Sequence, residues 1–291
     1  MFRGSITALI TPFRGDQVDE QAFQSFVEWQ VEQGTHALVP CGTTGESPTL
    51  SHEEHRRVVA LCVEAARGRV PVIAGAGSNS TAEAISLAHH AKRAGADAVL
   101  VVTPYYNKPT QEGLYQHYKA IHEAVDIPIL IYNIPGRCIV DMTVETMARL
   151  AKLPNIRGVK DATADLARPL RTRLAIGPDF CQLSGEDATV TAFLAQGGHG
   201  CISVASNIVP GLCSQMHDSW AKGDHATTFA ICDRLMPLYD ALFCEVSPGP
   251  VKYAASLLGR CNAETRQPLW EIADISKDKV RAALTGLGLL S

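Results

Sequence analysis

Apolar residues follow two alternating rhythms along this chain. Short runs rich in β-branched and small apolar residues occur at 6–10, 37–39, 70–74, 98–102, 127–131, 156–159, 181–183 and 200–203. Between them lie longer segments in which apolar positions recur at helical spacing, among them 19–33, 51–67, 81–94, 111–125, 143–153 and 188–195. A short continuous apolar run is the signature of a strand buried on both faces, as in a parallel sheet. Strand and helix alternating eight times over roughly 220 residues predict a (β/α)8 TIM barrel, an α/β fold, in preference to an open doubly wound sheet. Ser51 and Glu54 are spaced as a capping box that opens the second helix. Beyond residue 223 the strand rhythm stops. Helical stretches at 225–243, 250–258 and 276–287 predict a C-terminal helical extension over 224–291, following a catalytic barrel over 1–223.

Composition narrows the function classes. Hydrophobic residues make up 46% of the 291, enough for a large core, and a net charge of −4 without basic clusters argues against nucleic-acid binding. No apolar run approaches the length of a membrane span or of a secretory leader. The nine cysteines are odd in number and contain no C-x-x-C pair, which suits a reducing cytoplasm better than a disulfide framework.

Barrel active sites form where strands give way to the following loops. The residues after the predicted strands are unusually rich in small residues, hydroxyls, tyrosines and single charges. They include Gly42-Thr43-Thr44-Gly45-Glu46-Ser47, Thr103-Pro104-Tyr105-Tyr106-Asn107, Tyr132-Asn133-Ile134-Pro135-Gly136-Arg137, Lys160-Asp161-Ala162-Thr163 and Ser184-Gly185-Glu186-Asp187. Lys160 ends an apolar strand. Alternation puts it on the face of Gly158, a glycine expected to leave space beside the lysine stem. An amine attacks a ketone only when neutral, and burial in a barrel favours that form. The plainer reading is a strand-end lysine paired with Asp161. Tyr132, one strand earlier, is either a proton shuttle beside that lysine, with Thr43 as a relay, or an aromatic cap on the barrel core. The Thr43-Thr44-Gly45 turn offers hydroxyls and backbone N–H groups to a carboxylate, or is an ordinary polar turn. Arg137, after a Pro-Gly pair, either forks onto a substrate carboxylate or faces solvent.

Metal and nucleotide readings are weak. His52 and His55 are three apart rather than the four of a zinc-protease helix, and His89 and His90 are adjacent. Gly75 and Gly77 are followed by Ser80 where a dinucleotide fingerprint needs a third glycine. No metal and no cofactor are expected.

Together, Gly42–Ser47, Pro104–Asn107, Tyr132–Arg137 and Lys160–Thr163, with Lys160 standing 28 residues after Tyr132, resemble the class I pyruvate-dependent aldolase superfamily that includes the N-acetylneuraminate lyases. The similarity runs over nearly the whole chain. It is greatest to the dihydrodipicolinate synthase branch, because Arg137 stands where that branch holds the aldehyde's carboxylate. The resemblance implies a Schiff base between pyruvate and Lys160, and attack of the resulting enamine on L-aspartate-4-semialdehyde. It implies proton transfers through Tyr132, Thr43 and Tyr106, with Tyr106 supplied across a dimer interface within a homotetramer. Thr44, Arg137 and the rim residues Gly185 and Ile202 would contact substrate. It further implies an inhibitory site for L-lysine formed by Ser47, His52, His55, Asn79, Glu83 and Tyr105. Cys138 replaces a common threonine and Asp161 a frequent glutamate, which bears on substrate detail. The alternatives are an aldolase of the same chemistry acting on a sugar-derived 2-oxo acid, and a non-catalytic small-molecule sensor.

Overall fold

The structure is a computed structural model that describes residues 2–290. Its eight principal strands are β1 (Gly4–Ala8), β2 (Ala37–Val39), β3 (Ile73–Gly75), β4 (Ala98–Val102), β5 (Ile129–Asn133), β6 (Ile156–Asp161), β7 (Cys181–Ser184) and β8 (Gly200–Ser203). Helices α1 (Glu20–Glu32), α2 (His52–Ala66), α3 (Thr81–Ala94), α4 (Gln111–Ala124), α5 (Val144–Leu150), α6 (Arg168–Ile176), α7 (Val190–Ala195) and α8 (Pro210–Ala221) alternate with them. Three more follow: α9 (His225–Leu242), α10 (Gly249–Leu257) and α11 (Asp274–Gly286).

The chain forms two compact units. In the first, residues 72–202, strands β3 to β8 pair in chain order and every pairing is parallel. Their apolar runs are buried on both faces, as the continuous hydrophobicity requires. Helix starts are fixed by side-chain caps: Ser80 accepts from Glu83 N–H, Thr110 from Gly113 N–H and Thr143 from Thr146 N–H.

Strands β5 and β6 each run two residues further than the apolar runs that predict them. The added residues, Tyr132, Asn133, Lys160 and Asp161, break the hydrophobic pattern yet stay in the ladder, with Tyr132 opposite Lys160 and Asn133 opposite Asp161. Strand β3 starts at Ile73 rather than 70, because Pro71 has no N–H to give and the Val72 N–H goes to the Asp97 carboxylate at 2.8 Å.

In the second unit, residues 4–71 with the C-terminal part from 203, β1 pairs in parallel with β2. Strand β1 is Gly4–Ala8 rather than 6–10. Ile10 leaves the ladder because its N–H is taken by the Asn207 amide oxygen at 3.1 Å. The capping box on α2 is formed, with Ser51 Oγ accepting from Glu54 N–H and the Glu54 carboxylate from Ser51 N–H. Among the described residues, no helix is long and apolar enough to cross a membrane.

The C-terminal segment is tied to this unit by Arg266. Its guanidinium forks onto Glu54, with Nη1 at 2.8 Å and Nη2 at 2.5 Å from the two carboxylate oxygens. It also donates to the carbonyls of Thr49 and Asp16. Hydrogen bonding from Arg266 pulls the Glu54 carboxyl down to about 2. A carboxyl depressed by folding stabilises above its unfolded value, and that contribution is lost as pH falls through the folded value. The stability difference between the wild type and Glu54→Gln is therefore expected to be constant above about pH 5.5 and to disappear only below about pH 2. Denaturant titrations across that range read it, and a difference independent of pH would exclude the assignment.

Candidate active site

The first unit places Lys160 and Tyr132 side by side. They are register partners on β6 and β5, both buried, at 6% exposure each. Lys160 Nζ lies 4.3 Å from the centre of the Tyr132 ring. Asp161, the next residue on the strand, turns its carboxylate away to Thr163, accepting from its N–H at 2.9 Å and its hydroxyl at 2.7 Å, with Arg168 Nε at 3.7 Å. Burial raises the Asp161 carboxyl above its ordinary value, against the Thr163 hydrogen bonds and the Arg168 charge. The ordinary reading of Lys160 as the strand-end partner of Asp161 thus finds no support in the geometry.

The space around the lysine stem comes from a different glycine than alternation suggests. A Cβ at Gly158 would collide with the Cys181 carbonyl oxygen and meet the Leu130 side chain at 3.0 Å, so that glycine admits close packing by its strand neighbours. A Cβ at Gly185 would press on Lys160 Cε at 3.1 Å and on Ala162 Cβ at 2.8 Å. Gly185 also donates its N–H to Asp161 O at 2.7 Å, which holds the end of β7 against β6. Ile202, also assigned to the rim by the resemblance, is fully buried on β8. The neighbouring Glu186 carboxyl is raised, first by burial and then by Asp187, while the Lys160 charge acts to lower it.

Arg137 is exposed on a short helical turn, Pro135–Cys138, that follows β5 directly. Proline pre-sets the first residue of that turn, and Ile139 ends it in the left-handed region at φ 67°. The return segment is pinned by a polar network that neither spacing nor composition signals. Asn133 donates to the Asp141 carboxylate at 2.7 Å and accepts from Met142 N–H at 3.0 Å. Arg168, from the start of α6, reaches Asp141 at 3.0 Å and also donates to the Met142 carbonyl. Asp141 and Arg168 are 27 residues apart, so no short-range pattern reveals them. Asn133 and Asp161 were visible only as neighbours of Tyr132 and Lys160.

The loop after β4 carries Tyr105, half-buried, and Tyr106, which is 94% exposed with φ 69°. Asn107 ties this loop to the one after β3 by donating to Asn79 O at 2.8 Å. Ser78 donates its hydroxyl to the Glu83 carboxylate in the first turn of α3. The unit therefore draws Asn79, Glu83 and the tyrosine loop together.

In the second unit, Gly42–Ser47 is a tight turn. Gly45 N–H donates to Gly42 O at 3.1 Å and Glu46 N–H to Thr43 O at 3.1 Å. Thr43 is half-buried and Thr44 buried. Gly45 is packed closely, since a Cβ there would stand 3.1 Å from both Cys41 N and Leu9 O. Ser47 opens the 3₁₀ turn Ser47–Thr49 that leads into α2. His52 and His55 follow on the first turn of that helix, His52 exposed and His55 buried. Among the described residues, no three His, Cys, Asp or Glu side chains converge as a metal site requires.

Comparison with known proteins places this geometry. Residues 1–287 match the Dihydrodipicolinate synthetase family. The 4-hydroxy-tetrahydrodipicolinate synthase of Rhodospirillum centenum is 72% identical over 291 residues, covering all of both chains. Among solved structures, the chloride-inhibited dihydrodipicolinate synthase of Acinetobacter baumannii, complexed with pyruvate, is 44% identical and superposes with a TM-score of 0.97 over 100% of both chains. The enzyme of Cyanidioschyzon merolae with lysine bound is 41% identical, with a TM-score of 0.96 over 99% of both chains. The fold is thus the (β/α)8 barrel with C-terminal helices, and the chain belongs to the dihydrodipicolinate synthetase family.

Proposed function

We propose that this chain is a lyase that condenses pyruvate with L-aspartate-4-semialdehyde to 4-hydroxy-tetrahydrodipicolinate, through an imine on Lys160. The observation that carries the reading is a lysine amine buried against a tyrosine ring at the adjoining ends of two parallel strands. The amine adds to C2 of pyruvate and the carbonyl oxygen leaves as water. Loss of a methyl proton gives an enamine, whose carbon bonds to the aldehyde. Attack by the acceptor's own amine then frees Lys160 and closes the ring. The imine nitrogen is the electron sink, so the chemistry needs no separate cofactor. Tyr132 is the group adjacent to the reacting nitrogen. For Thr43 and Tyr106 as further proton carriers, for Thr44 at the pyruvate carboxylate, and for Gly185 and Ile202 as rim contacts, the support is the family pattern.

Arg137 is assigned the acceptor's carboxylate. Its exposed position on a pinned turn leaves the guanidinium available, and a charge-assisted pair of this kind contributes about 1.5–3 kcal/mol. Assaying pyruvate with L-aspartate-4-semialdehyde and identifying the product tests the function. No turnover, or a clear preference for a sugar-derived acceptor, would overturn it. In Arg137→Ala the KM for the aldehyde is expected to rise roughly 10- to 100-fold, with a much smaller change for pyruvate. Equal losses for both substrates would mean that Arg137 serves the fold.

We further propose that L-lysine inhibits this chain through Ser47, His52, His55, Asn79, Glu83 and Tyr105, with the ligand's ammonium group on the Glu83 carboxylate. The lysine-bound relative supports lysine as the ligand, and for the residues the support is the family pattern. Millimolar lysine should slow the wild type and not Glu83→Ala; inhibition that survives the substitution would rule the site out. The nearly complete exposure of Tyr106 supports a partner subunit covering it; for a homotetramer and a cytoplasmic location the support is the family pattern. A purely monomeric sedimentation profile for the active enzyme would contradict that assembly.

A further inference from the structure

The second unit holds an ion pair that the proposed chemistry does not use. Lys252 Nζ donates to the Glu46 carboxylate at 2.7 Å, with side-chain exposures of 0% and 1%. Lys252 lies on α10 in the C-terminal extension, 206 residues from its partner. The second Glu46 oxygen accepts from Arg266 N–H at 2.9 Å, so both oxygens are satisfied from the C-terminal segment. The ammonium group lies 4.1 Å from the centre of the Phe13 ring, and the Arg266 guanidinium lies 4.3 Å from it. Burial pulls the Lys252 amine below its ordinary value, and the Glu46 charge opposes that shift.

Such a pair is a poor device for stability alone. Desolvating two ions offsets most of their attraction, and apolar side chains of similar volume commonly serve a core as well or better. Glu46 also sits at φ 55°, a left-handed conformation that costs free energy for any residue with a side chain. Both costs fall on the residue that closes the Gly42–Ser47 turn. From Glu46 the turn is fixed residue by residue. Its N–H holds Thr43 O, and its own carbonyl accepts from the N–H and hydroxyl of Thr49. The Thr11 hydroxyl holds Gly45 O at 2.7 Å.

We propose that Glu46 and Lys252 are positioning residues for pyruvate. The buried pair locks the threonine turn in the conformation that receives the carboxylate, and the C-terminal extension thereby supplies part of the active-site frame. This rests on the assignment of Thr43 and Thr44 to pyruvate. Neither residue touches substrate in this role, so the effect should fall on pyruvate KM and spare the chemistry on Lys160.

The test compares the wild type, Thr44→Val and the double variant Glu46→Leu/Lys252→Met for melting temperature and for kcat and KM of each substrate. With the pair replaced by apolar side chains, the double variant should melt within a few degrees of the wild type. Its pyruvate KM should rise about tenfold, as expected for a carboxylate site displaced by a fraction of an ångström. The KM for the aldehyde should hold, and borohydride at saturating pyruvate should still label Lys160. A folded double variant with wild-type pyruvate KM, alongside a raised KM in Thr44→Val, overturns the positioning role and leaves the pyruvate assignment standing. An unchanged KM in Thr44→Val overturns the assignment itself. If the double variant does not fold, Glu46→Gln decides. It keeps the shape and one acceptor oxygen, so a pyruvate KM raised about threefold supports the role and an unchanged one ends it.

Discussion

Lys160→Ala is expected to lower kcat by at least about 10³-fold, equivalent to roughly 4 kcal/mol of lost transition-state stabilisation. The figure follows from what the residue does in the proposed cycle. Without a covalent imine, the methyl group of pyruvate must lose its proton without an electron sink, and among the described residues Lys160 is the amine that lies over the Tyr132 ring. Borohydride reduction in the presence of pyruvate should add one three-carbon acid to the wild type, on the peptide that contains Lys160, and should inactivate it. The same treatment should leave Lys160→Ala unlabelled. The alanine variant should retain a melting temperature near that of the wild type, because the apolar burial lost with the Lys160 stem is offset by removing a desolvated amine from the site. Labelling at a second lysine, or substantial activity in the variant, would remove the Schiff base from the mechanism.

Much of this arrangement is legible in the amino-acid sequence, and the limits of legibility have physical causes. Strand β4 and helix α3 coincide with their patterns, the strand because its whole run serves one core, the helix because Ala84, Leu87, Ala88 and Ala91 keep one face buried between the Ser80 cap and Gly95. Strands β5 and β6 exceed theirs because the last two residues of each do two jobs. Tyr132, Asn133, Lys160 and Asp161 keep backbone pairing while their side chains serve a polar site. Hydrophobic periodicity registers only the first job, so it ends the strand where the function begins. The role of Gly158 departs from what alternation predicts for a related reason. Alternation fixes which face a residue shares, but not which neighbour fills the gap, and the residue beside the Lys160 stem comes from just past the end of β7, 25 positions on, at Gly185. The network of Asn133, Asp141, Asp161 and Arg168 left no local signal, since a buried guanidinium between two carboxylates is a property of packed strands and loops. Pairs such as Glu46 and Lys252, joined only by the fold, lie beyond any pattern of short spacing.

That last pair sets the largest stability effect expected outside the reacting groups. Lys252→Met alone leaves the Glu46 carboxylate buried with its counter-ion gone, and breaking a buried pair in this way costs about 3–5 kcal/mol. For a chain of this size, that is a fall in Tm of roughly 10 °C. The remaining bond from Arg266 N–H satisfies one oxygen, and the Arg266 guanidinium, already forked onto Glu54, replaces only part of the lost charge. Adding Glu46→Leu removes the stranded ion and should recover most of the loss, so the two changes together should cost less than Lys252→Met alone. The opposite single change, Glu46→Gln, strands the ammonium group instead. Burial already holds the Lys252 amine below its ordinary value of 10.5, and the substitution removes the carboxylate that opposes that shift. The unfolded chain then binds more protons than the native one between the folded value and 10.5, so stability must rise with pH across that window. Glu46→Gln should therefore regain part of its loss as pH is raised towards about 10, more steeply than the wild type. Denaturant midpoints for the three variants at neutral and alkaline pH measure all of this. A double variant that loses as much stability as Lys252→Met or more, or a pH-independent deficit in Glu46→Gln, would show that the two side chains are not coupled in the folded protein.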